Sequence, residues 1–214
     1  MDNNREFWNK YVKKFENNPD NKKYRLLGHN WKGEELFVKL LHKYTKSTDT
    51  ALEIGCGGGR ITEIASLLCE EIIATDISPE MISKASSEIK AGNIIWNVND
   101  GFSLDEYKSN SINLVYSHDV FVHFSSMQTY PYLKHIQRIL KPQGTGIISF
   151  YNYVYHFNLF KNESLRFNKN KIFPPSMRHH FVTQQMIELM LNDLNYDILE
   201  FDITNFLIVI FRKK

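Results

Sequence analysis

Four glycines within five positions, at 55, 57, 58 and 59, follow directly on a short apolar stretch. The segment from Thr50 to Arg60 reads TALEIGCGGGR. Glycine in such a strand-to-helix turn permits tight or left-handed backbone angles and lets a ligand come close to the main chain. The helix that follows directs free N–H groups and the positive end of its dipole toward that ligand. The spacing therefore predicts a nucleotide-binding turn.

Two acidic residues stand at the ends of the next two predicted strands. Asp76 lies 21 residues after Gly55, where a carboxylate can accept hydrogen bonds from both hydroxyls of a ribose. We prefer this role to helix capping, because Ser78 is better placed to cap the next helix. Asp100, which Gly101 follows, either accepts from an exocyclic amine such as that of adenine or forms a plain turn.

These residues must be positioned by strands and helices that alternate from residue 50 onward, which favours a doubly wound, mostly parallel α/β sheet. In such sheets a ligand binds beyond the carboxyl ends of the strands. The pattern predicts strands over 50–55, 71–76, 93–98, 112–117, 145–151, 197–203 and 205–211. It predicts helices over 4–16, 31–44, 58–69, 79–91, 126–140 and 183–194.

We expect a single domain over residues 1–214. It comprises an N-terminal helical cap (1–46), a cofactor-binding core (50–150), a substrate-recognition insertion (151–182), and a closing helix and strand pair (183–214). Most aromatic residues of the cap are expected to pack on the core. One residue of the cap is a candidate to cover the nucleotide, from the set Trp8, Tyr11, Tyr24 and Trp31.

Composition and charge narrow the class of protein. A net charge of +2 on 214 residues fits an ordinary α/β domain and gives no strong nucleic-acid or membrane signal. Cys56 and Cys69 provide neither a disulfide framework nor metal-ligand spacing, so we expect a cytoplasmic protein without a metal site. The N-terminus lacks the apolar region of a signal peptide, and the longest apolar run, 206–211, is too short to span a bilayer.

The glycine turn departs from the dinucleotide pattern G-x-G-x-x-G, because Arg60 stands where the third glycine belongs, and it lacks the Lys-Ser/Thr of a phosphate-binding loop. It resembles the E-x-G-x-G-x-G motif of class I S-adenosylmethionine-dependent methyltransferases. The resemblance continues through DISPEM (76–81), NDG (99–101), VYS (115–117) and ILKPQG (139–144), with Gln143 where the family usually has glycine.

The resemblance implies a seven-stranded Rossmann-like sheet of order 3-2-1-4-5-7-6 with strand 7 antiparallel. It implies S-adenosylmethionine as the cofactor and S-adenosylhomocysteine as its product. Glu53 and the glycine turn would hold the amino-acid end of the cofactor, and Ser117 would line its methionine portion. Asp76 would bind the ribose hydroxyls. Asp100 would accept from the adenine amino group, and Ile77 and Met81 would flank the adenine. The implied cofactor-binding residues are Glu53, Gly55, Cys56, Gly57, Gly59, Arg60, Asp76, Ile77, Met81, Asp100, Gly101 and Ser117.

Methyl transfer mainly requires alignment and exclusion of water, and a hydroxyl acceptor also benefits from a general base. His123 follows the fourth strand and is our candidate base, with a structural hydrogen bond in that loop as the alternative. His118 either faces the acceptor or packs beneath the cofactor. Adjacent Ser117, His118 and Asp119 cannot line up as a hydrolase triad.

The segment 151–182 is rich in aromatic and basic residues. It is predicted to be either a solvated lid or an aromatic, basic-rimmed pocket for a sugar, a nucleotide-linked sugar or another anionic small molecule. The predicted substrate-binding residues are His118, Tyr151, Asn152, Arg178 and His179.

We therefore expect a methyltransferase that acts on a hydroxyl of a small molecule such as a sugar, a nucleotide-sugar or a natural-product intermediate. Two alternatives stay open: an RNA (tRNA) methyltransferase, and a non-catalytic protein that binds S-adenosylmethionine. We expect a monomer or a homodimer.

Overall fold

A mixed β-sheet forms the centre of the protein, whose computed structural model describes residues 2–16, 34–167, 179–204 and 206–214. Within these ranges the strands are β1 (Thr50–Ile54), β2 (Glu71–Asp76), β3 (Ile94–Val98), β4 (Ile112–Ser117), β5 (Leu140–Asn152), β6 (Phe181–Val182), β7 (Tyr196–Ile203) and β8 (Phe206–Lys213). Their order is β3-β2-β1-β4-β5-β8-β7, and β6 pairs with β5.

The predicted topology is confirmed. Strands β1 to β5 are parallel to one another, whereas β8 is antiparallel to both β5 and β7. If the two-residue strand β6 is set aside, the order is the expected 3-2-1-4-5-7-6. Strand β6, which is parallel to the end of β5, is an addition that the sequence pattern did not indicate.

Helices cover both faces of the sheet, as a doubly wound fold requires. They are α1 (Asp2–Glu16), α2 (Glu34–Tyr44), α3 (Arg60–Ala65), α4 (Pro79–Glu88), α5 (Ser126–Ile139), α6 (Phe157–Phe167) and α7 (Gln184–Asp193). Buried side chains of α2, α3 and α4 form one core with the sheet, and those of α5 and α7 form the other. Strands β1 and β8, which lie inside the sheet between these layers, are almost continuously buried, which explains their largely apolar sequences.

The glycine turn delays the start of α3. Gly57 and Gly59 both have left-handed backbone angles, so the helix begins at Arg60 and not at residue 58 as predicted. By contrast α4 begins as expected: Pro79 occupies its first turn, and the Ser78 hydroxyl accepts a hydrogen bond from Met81 N at 3.2 Å.

Two further elements differ from the prediction. Strand β5 begins at Leu140 and not at residue 145 as predicted. Its pairing with β4 starts at Leu140 and resumes at Thr145, on either side of a bulge in which Gln143 has a left-handed backbone angle. The insertion 151–182, for which no helix was predicted, contains α6. This helix begins where His156 N donates to the Asn152 carbonyl at 2.9 Å and Phe160 N to that of His156 at 3.0 Å.

Helix α1 lies against the end of β3 and the start of α4. Arg5 donates to the Asn99 carbonyl at 3.0 Å, and the Ser78 hydroxyl donates to Asn9 Oδ1 at 2.6 Å. Because both partners lie next to the carboxyl ends of the strands, α1 covers the edge where a ligand is expected.

Gly146 is required by the contact between β5 and β8. It pairs with Phe211, and a Cβ at position 146 would overlap the Phe211 ring. We expect Gly146→Ala to lower the free energy of unfolding by about 1–3 kcal/mol, the usual cost of overpacking a core. Urea denaturation measures this, with Gly92→Ala as the control because a Cβ there would meet no atom within 4 Å. Equal stability of the two variants would contradict this account of the packing.

Candidate active site

A cleft opens at the carboxyl ends of β1, β2 and β4, the edge at which doubly wound sheets bind their ligands. Trp8 of α1 lies in its wall, so this residue of the N-terminal cap covers the site; Tyr24 and Trp31 lie outside the described residues. The predicted site residues that line the cleft are Glu53, Gly55, Cys56, Gly57, Arg60, Asp76, Ile77, Met81, Gly101, His118 and His123.

The Asp76 carboxylate connects two parts of the cleft wall. Its Oδ2 accepts a hydrogen bond from Gly57 N and its Oδ1 one from Ser78 N, both at 2.9 Å. Burial raises the pKa of Asp76, and these backbone donors counteract the rise. A carboxylate has about four acceptor sites, so Asp76 retains acceptor capacity for a further donor such as a ribose hydroxyl.

The glycine turn approaches its neighbours closely. Gly55 N and Cys56 N both donate to the Thr75 carbonyl at 2.8 Å, which holds the turn against the end of β2. Gly55 has φ of 76°, and a Cβ at this position would overlap the Val120 side chain. Glycine is therefore required here by both the backbone angle and the available space.

Glu53 is buried beneath the turn. Its Oε2 accepts hydrogen bonds from the Thr62 hydroxyl at 2.5 Å and from the Tyr116 hydroxyl at 3.1 Å. Burial raises the pKa of Glu53 to about 7, and the two hydroxyl donors only partly offset this effect. The site thus contains a carboxyl group that an approaching positive charge would favour in its ionised form.

At the far end of the cleft, Ile77, Met81, Gly101 and Phe102 provide an apolar wall. Gly101 has φ of 77°, and a Cβ there would lie 2.7 Å from Ile77 Cδ1. Glycine at this position therefore lets the Ile77 side chain pack directly against the backbone.

The structure differs from the prediction at Asp100. Its carboxylate does not line the cleft but accepts from Phe102 N at 2.7 Å, Ser103 N at 2.8 Å and the Ser103 hydroxyl at 2.9 Å within its own turn. The adjacent Asn99 lines the cleft instead. Within the described part of the chain no donor reaches the buried Oδ1 of Asn99, which leaves this oxygen available to a ligand.

Three other predicted residues serve the fold and do not line the cleft. The buried Ser117 hydroxyl donates to the Ile54 carbonyl at 2.8 Å and joins β4 to β1. Gly59 is the N-cap of α3, and a Cβ there would overlap Ile89. Asn152 Oδ1 accepts from Val154 N at 3.0 Å in the turn before α6. Arg178 lies outside the described residues.

Arg60 and Asp119 both line the cleft, and their opposite charges attract each other. Arg60 forms an ion pair with Glu34 of α2, and burial lowers the pKa of Arg60. Asp119 has a left-handed backbone angle, φ of 61°, and burial raises its pKa to about 7 although the nearby Arg60 opposes the rise. Asp119 was not among our predicted site residues. The sequence signal for it was its position just after the fourth predicted strand, at the edge of the sheet where ligands bind.

His123 and His118 occupy different environments. His123 ends a single 3₁₀ turn, Phe121–His123, and its ring contacts Trp8 edge-on with centroids 5.5 Å apart. His118 is buried between Phe37 and Phe206. Burial, with a contribution from Arg60, lowers its pKa to about 3, so His118 remains neutral at physiological pH. Of the two, His123 is the one suited to accept a proton.

Tyr151 and His179 lie beside the cleft and do not line it. Their rings are 4.9 Å apart, and the His179 ring is 5.8 Å from that of His123. Tyr151 is almost fully buried and burial raises its pKa, so its hydroxyl stays protonated at neutral pH.

Known proteins resemble this chain in sequence. A sequence profile described as a methyltransferase domain matches residues 52–148. An uncharacterized methyltransferase of Schizosaccharomyces pombe is 28% identical over 127 residues, which is 54% of this chain and 45% of that protein. The chain thus spans about half the length of this curated relative. Residues 52–148 therefore match a methyltransferase domain, in agreement with the predicted resemblance.

Solved structures share the fold of this protein. An S-adenosylmethionine-dependent methyltransferase of Methanosarcina mazei is 21% identical, with a TM-score of 0.67, and the match covers 81% of this chain and 96% of that one. Magnesium protoporphyrin IX methyltransferase of Synechocystis PCC 6803, solved with bound S-adenosylhomocysteine, is 17% identical, with a TM-score of 0.72 over 98% of each chain. These solved structures confirm the predicted fold, and the matched methyltransferase domain supports the predicted family over residues 52–148.

Two negative findings apply to the described residues of the protein. No helix among them has the length and apolar character needed to cross a membrane. No cluster of histidine, cysteine and acidic residues suitable for holding a metal ion occurs among them either.

Ionisation of Glu53 should make the protein less stable as pH rises. The pKa is about 7 in the folded state against 4.5 for an unperturbed glutamate, so between these values the folded state binds more protons than the unfolded state. The free energy of unfolding then falls with increasing pH, by at most about 3 kcal/mol for a shift of this size.

We expect Glu53→Gln to flatten this dependence in chemical denaturation measured across the interval, leaving the share due to Asp119. An identical slope in the wild type and the variant would show that Glu53 does not titrate in this range.

Proposed function

We propose that this chain transfers the methyl group of S-adenosylmethionine to a hydroxyl group of a small molecule. The observation that carries the proposal is that one cleft contains both a ribose-accepting carboxylate, Asp76, and an imidazole, His123, in its wall. The first suits the cofactor and the second suits a hydroxyl that must lose a proton.

The residues of the cleft fit the proposed cofactor. Asp76 would accept from the ribose hydroxyls, and Ile77 and Met81 would contact the adenine. The unsatisfied Oδ1 of Asn99 is matched to a donor such as the adenine amino group. Glu53 would favour the positively charged methionine end, and binding would in turn favour its ionised form. Predicted roles for Asp100 and Ser117 are not part of this proposal, because both side chains bond within the fold.

Bound S-adenosylmethionine supplies a methyl group on a sulfonium, and S-adenosylhomocysteine is the leaving group. The protein has to orient the acceptor hydroxyl, exclude water and accept the hydroxyl proton. Trp8 helps to exclude water by covering the cleft next to His123. A ring nitrogen of His123 would take the proton, while His118 would stay neutral and shape the wall.

The acceptor class follows from the charges near His123. Asp119 in the cleft and Glu163 beside His179 are acidic, whereas Arg60 is already paired with Glu34. The described basic residues of the insertion, Lys161 and Arg166, are exposed. A neutral hydroxyl on a sugar-like or ring-bearing molecule therefore suits the reacting position better than a phosphate. A phosphate elsewhere on the acceptor would depend on basic residues outside the described ranges.

The RNA alternative has less support. Lys22, Lys23 and Arg25 lie outside the described residues. At the C-terminus Lys213 donates to Asn110 Oδ1 at 2.7 Å and to the Leu140 carbonyl at 2.8 Å, so this charge is used within the fold.

The free, buried Cys56 and Cys69 suit the reducing cytoplasm that we propose as the location.

Asp76→Ala should abolish most of the binding of S-adenosylmethionine. The variant loses the ribose acceptor and the two backbone bonds that shape the cleft. Isothermal titration calorimetry measures the effect, and we expect the dissociation constant to increase at least about a hundredfold, or about 2.7 kcal/mol. Asp105→Ala, at an exposed position outside the cleft, is the matched control. A wild-type protein that binds NAD but neither S-adenosylmethionine nor S-adenosylhomocysteine would refute the cofactor assignment.

His123→Ala should reduce turnover while leaving cofactor affinity nearly intact. Loss of a general base typically costs about 10²- to 10⁴-fold in rate. The assay follows transfer of labelled methyl from S-adenosylmethionine to a small-molecule extract, with calorimetry as the binding control. Because Trp8 packs on the His123 ring, His123→Phe serves as a second variant that keeps an aromatic contact. Unchanged turnover in both variants would remove His123 as the base.

A further inference from the structure

Glu163 of α6 bonds to a histidine that contacts the candidate base. Its Oε1 lies 2.6 Å from Nδ1 of His179, and the side chains of Glu163 and His179 are only 20% and 23% exposed. The pair joins α6 to the segment that leads into β6. A carboxylate at Nδ1 fixes the tautomer of a neutral imidazole, because Nδ1 must carry the proton and Nε2 becomes the acceptor.

The pair is connected to the cleft through rings and through the main chain. The His179 ring is 5.8 Å from the His123 ring, which in turn contacts Trp8 in the cleft wall. Next to it, His180 N donates to the Val122 carbonyl at 2.7 Å, so the backbone of this segment is fixed to the turn that carries His123. The geometry therefore places a partly buried carboxylate one ring beyond the candidate base.

We propose that Glu163 and His179 are positioning residues for the methyl-transfer site: they hold the His123 ring and stabilise the positive charge that it gains from the acceptor. This proposal rests on the proposed function. In the step, the acceptor O–H bond breaks and its proton goes to His123, the O–CH₃ bond forms, and the sulfur–methyl bond breaks with its electron pair left on sulfur. The Glu163 carboxylate offsets the charge of the new imidazolium.

Other ionisable groups face this assembly. Tyr151 packs on His179 and His156 packs on Tyr151, while Asp119 and Glu163 both act electrostatically on Tyr151. Burial keeps the Tyr151 hydroxyl protonated. Glu163 is nevertheless the carboxylate hydrogen-bonded to His179, so its removal tests the proposal most directly.

The decisive variant is Glu163→Gln, because glutamine keeps an oxygen that can accept from His179 but removes the charge. With labelled S-adenosylmethionine and a small-molecule extract as the acceptor source, we expect transfer to slow about tenfold or more, with the pH–rate profile shifted. Affinity for S-adenosylhomocysteine should change less than about twofold. The control is Asp105→Asn, which alters an exposed carboxylate–histidine pair, Asp105 with His135 at 3.3 Å, outside the cleft.

A second readout needs no acceptor. In ¹⁵N-histidine NMR, His179 should show the Nδ1–H tautomer, and Glu163→Gln should move the protonation midpoint of His123 to lower pH. If Glu163→Gln loses thermal stability, Glu163→Met, which also removes the charge and keeps a side chain of similar length, takes its place, and the same shift is expected.

Wild-type protein that transfers no methyl group refutes the proposed function, and the NMR titration then decides this inference by itself. If the wild type transfers methyl groups and Glu163→Gln does so with the same rate and pH profile, the Glu163–His179 pair only stabilises the position of α6, and the proposal is wrong. A His123 titration that does not move in the variant likewise overturns the positioning role.

Discussion

The buried carboxylate of Asp76 is the interaction on which the cleft depends. It accepts one backbone N–H from the glycine turn after β1 and one from the start of α4. Two turns that are separated along the chain are thereby held in a fixed relation at the end of β2. Burying this carboxylate is costly unless it is hydrogen-bonded, and the two amides supply those bonds before any ligand binds. A bound ribose would add donors to a group that is already oriented.

The acceptor side of the site is assembled differently. The proposed cofactor side lies at the ends of three neighbouring strands, β1, β2 and β4, which the sheet itself aligns. The acceptor side combines Trp8 from α1, His123 from the turn after β4, and the Glu163–His179 pair from the insertion. Side chains from such distant parts of the chain meet only through tertiary packing, which is consistent with a common cofactor fold that acts on different acceptors.

The sequence predicted what short-range patterns determine. The glycine spacing located the turn, Ser78 and Pro79 located the start of α4, and the strand–helix alternation predicted the parallel sheet, whose strand order came from the family resemblance. Prediction was less successful where a polar side chain has two possible uses. Asp100, Ser117 and Asn152 were expected to meet ligands. Asp100 and Asn152 instead accept from backbone N–H groups of their own turns, an option that short polar side chains always have, and Ser117 donates to the Ile54 carbonyl of the neighbouring strand. Glu163 was missed because only the folded chain brings it to His179, 16 residues away.

Mass spectrometry of the methylated product can decide whether the protein methylates a small-molecule hydroxyl. The purified protein is incubated with trideuteromethyl S-adenosylmethionine and a small-molecule extract, and the Asp76→Ala variant serves as the blank. The account predicts a small molecule that gains one labelled methyl group on a hydroxyl oxygen with the wild type but not with the variant. Label that appears only in RNA, or equally with both proteins, would contradict it.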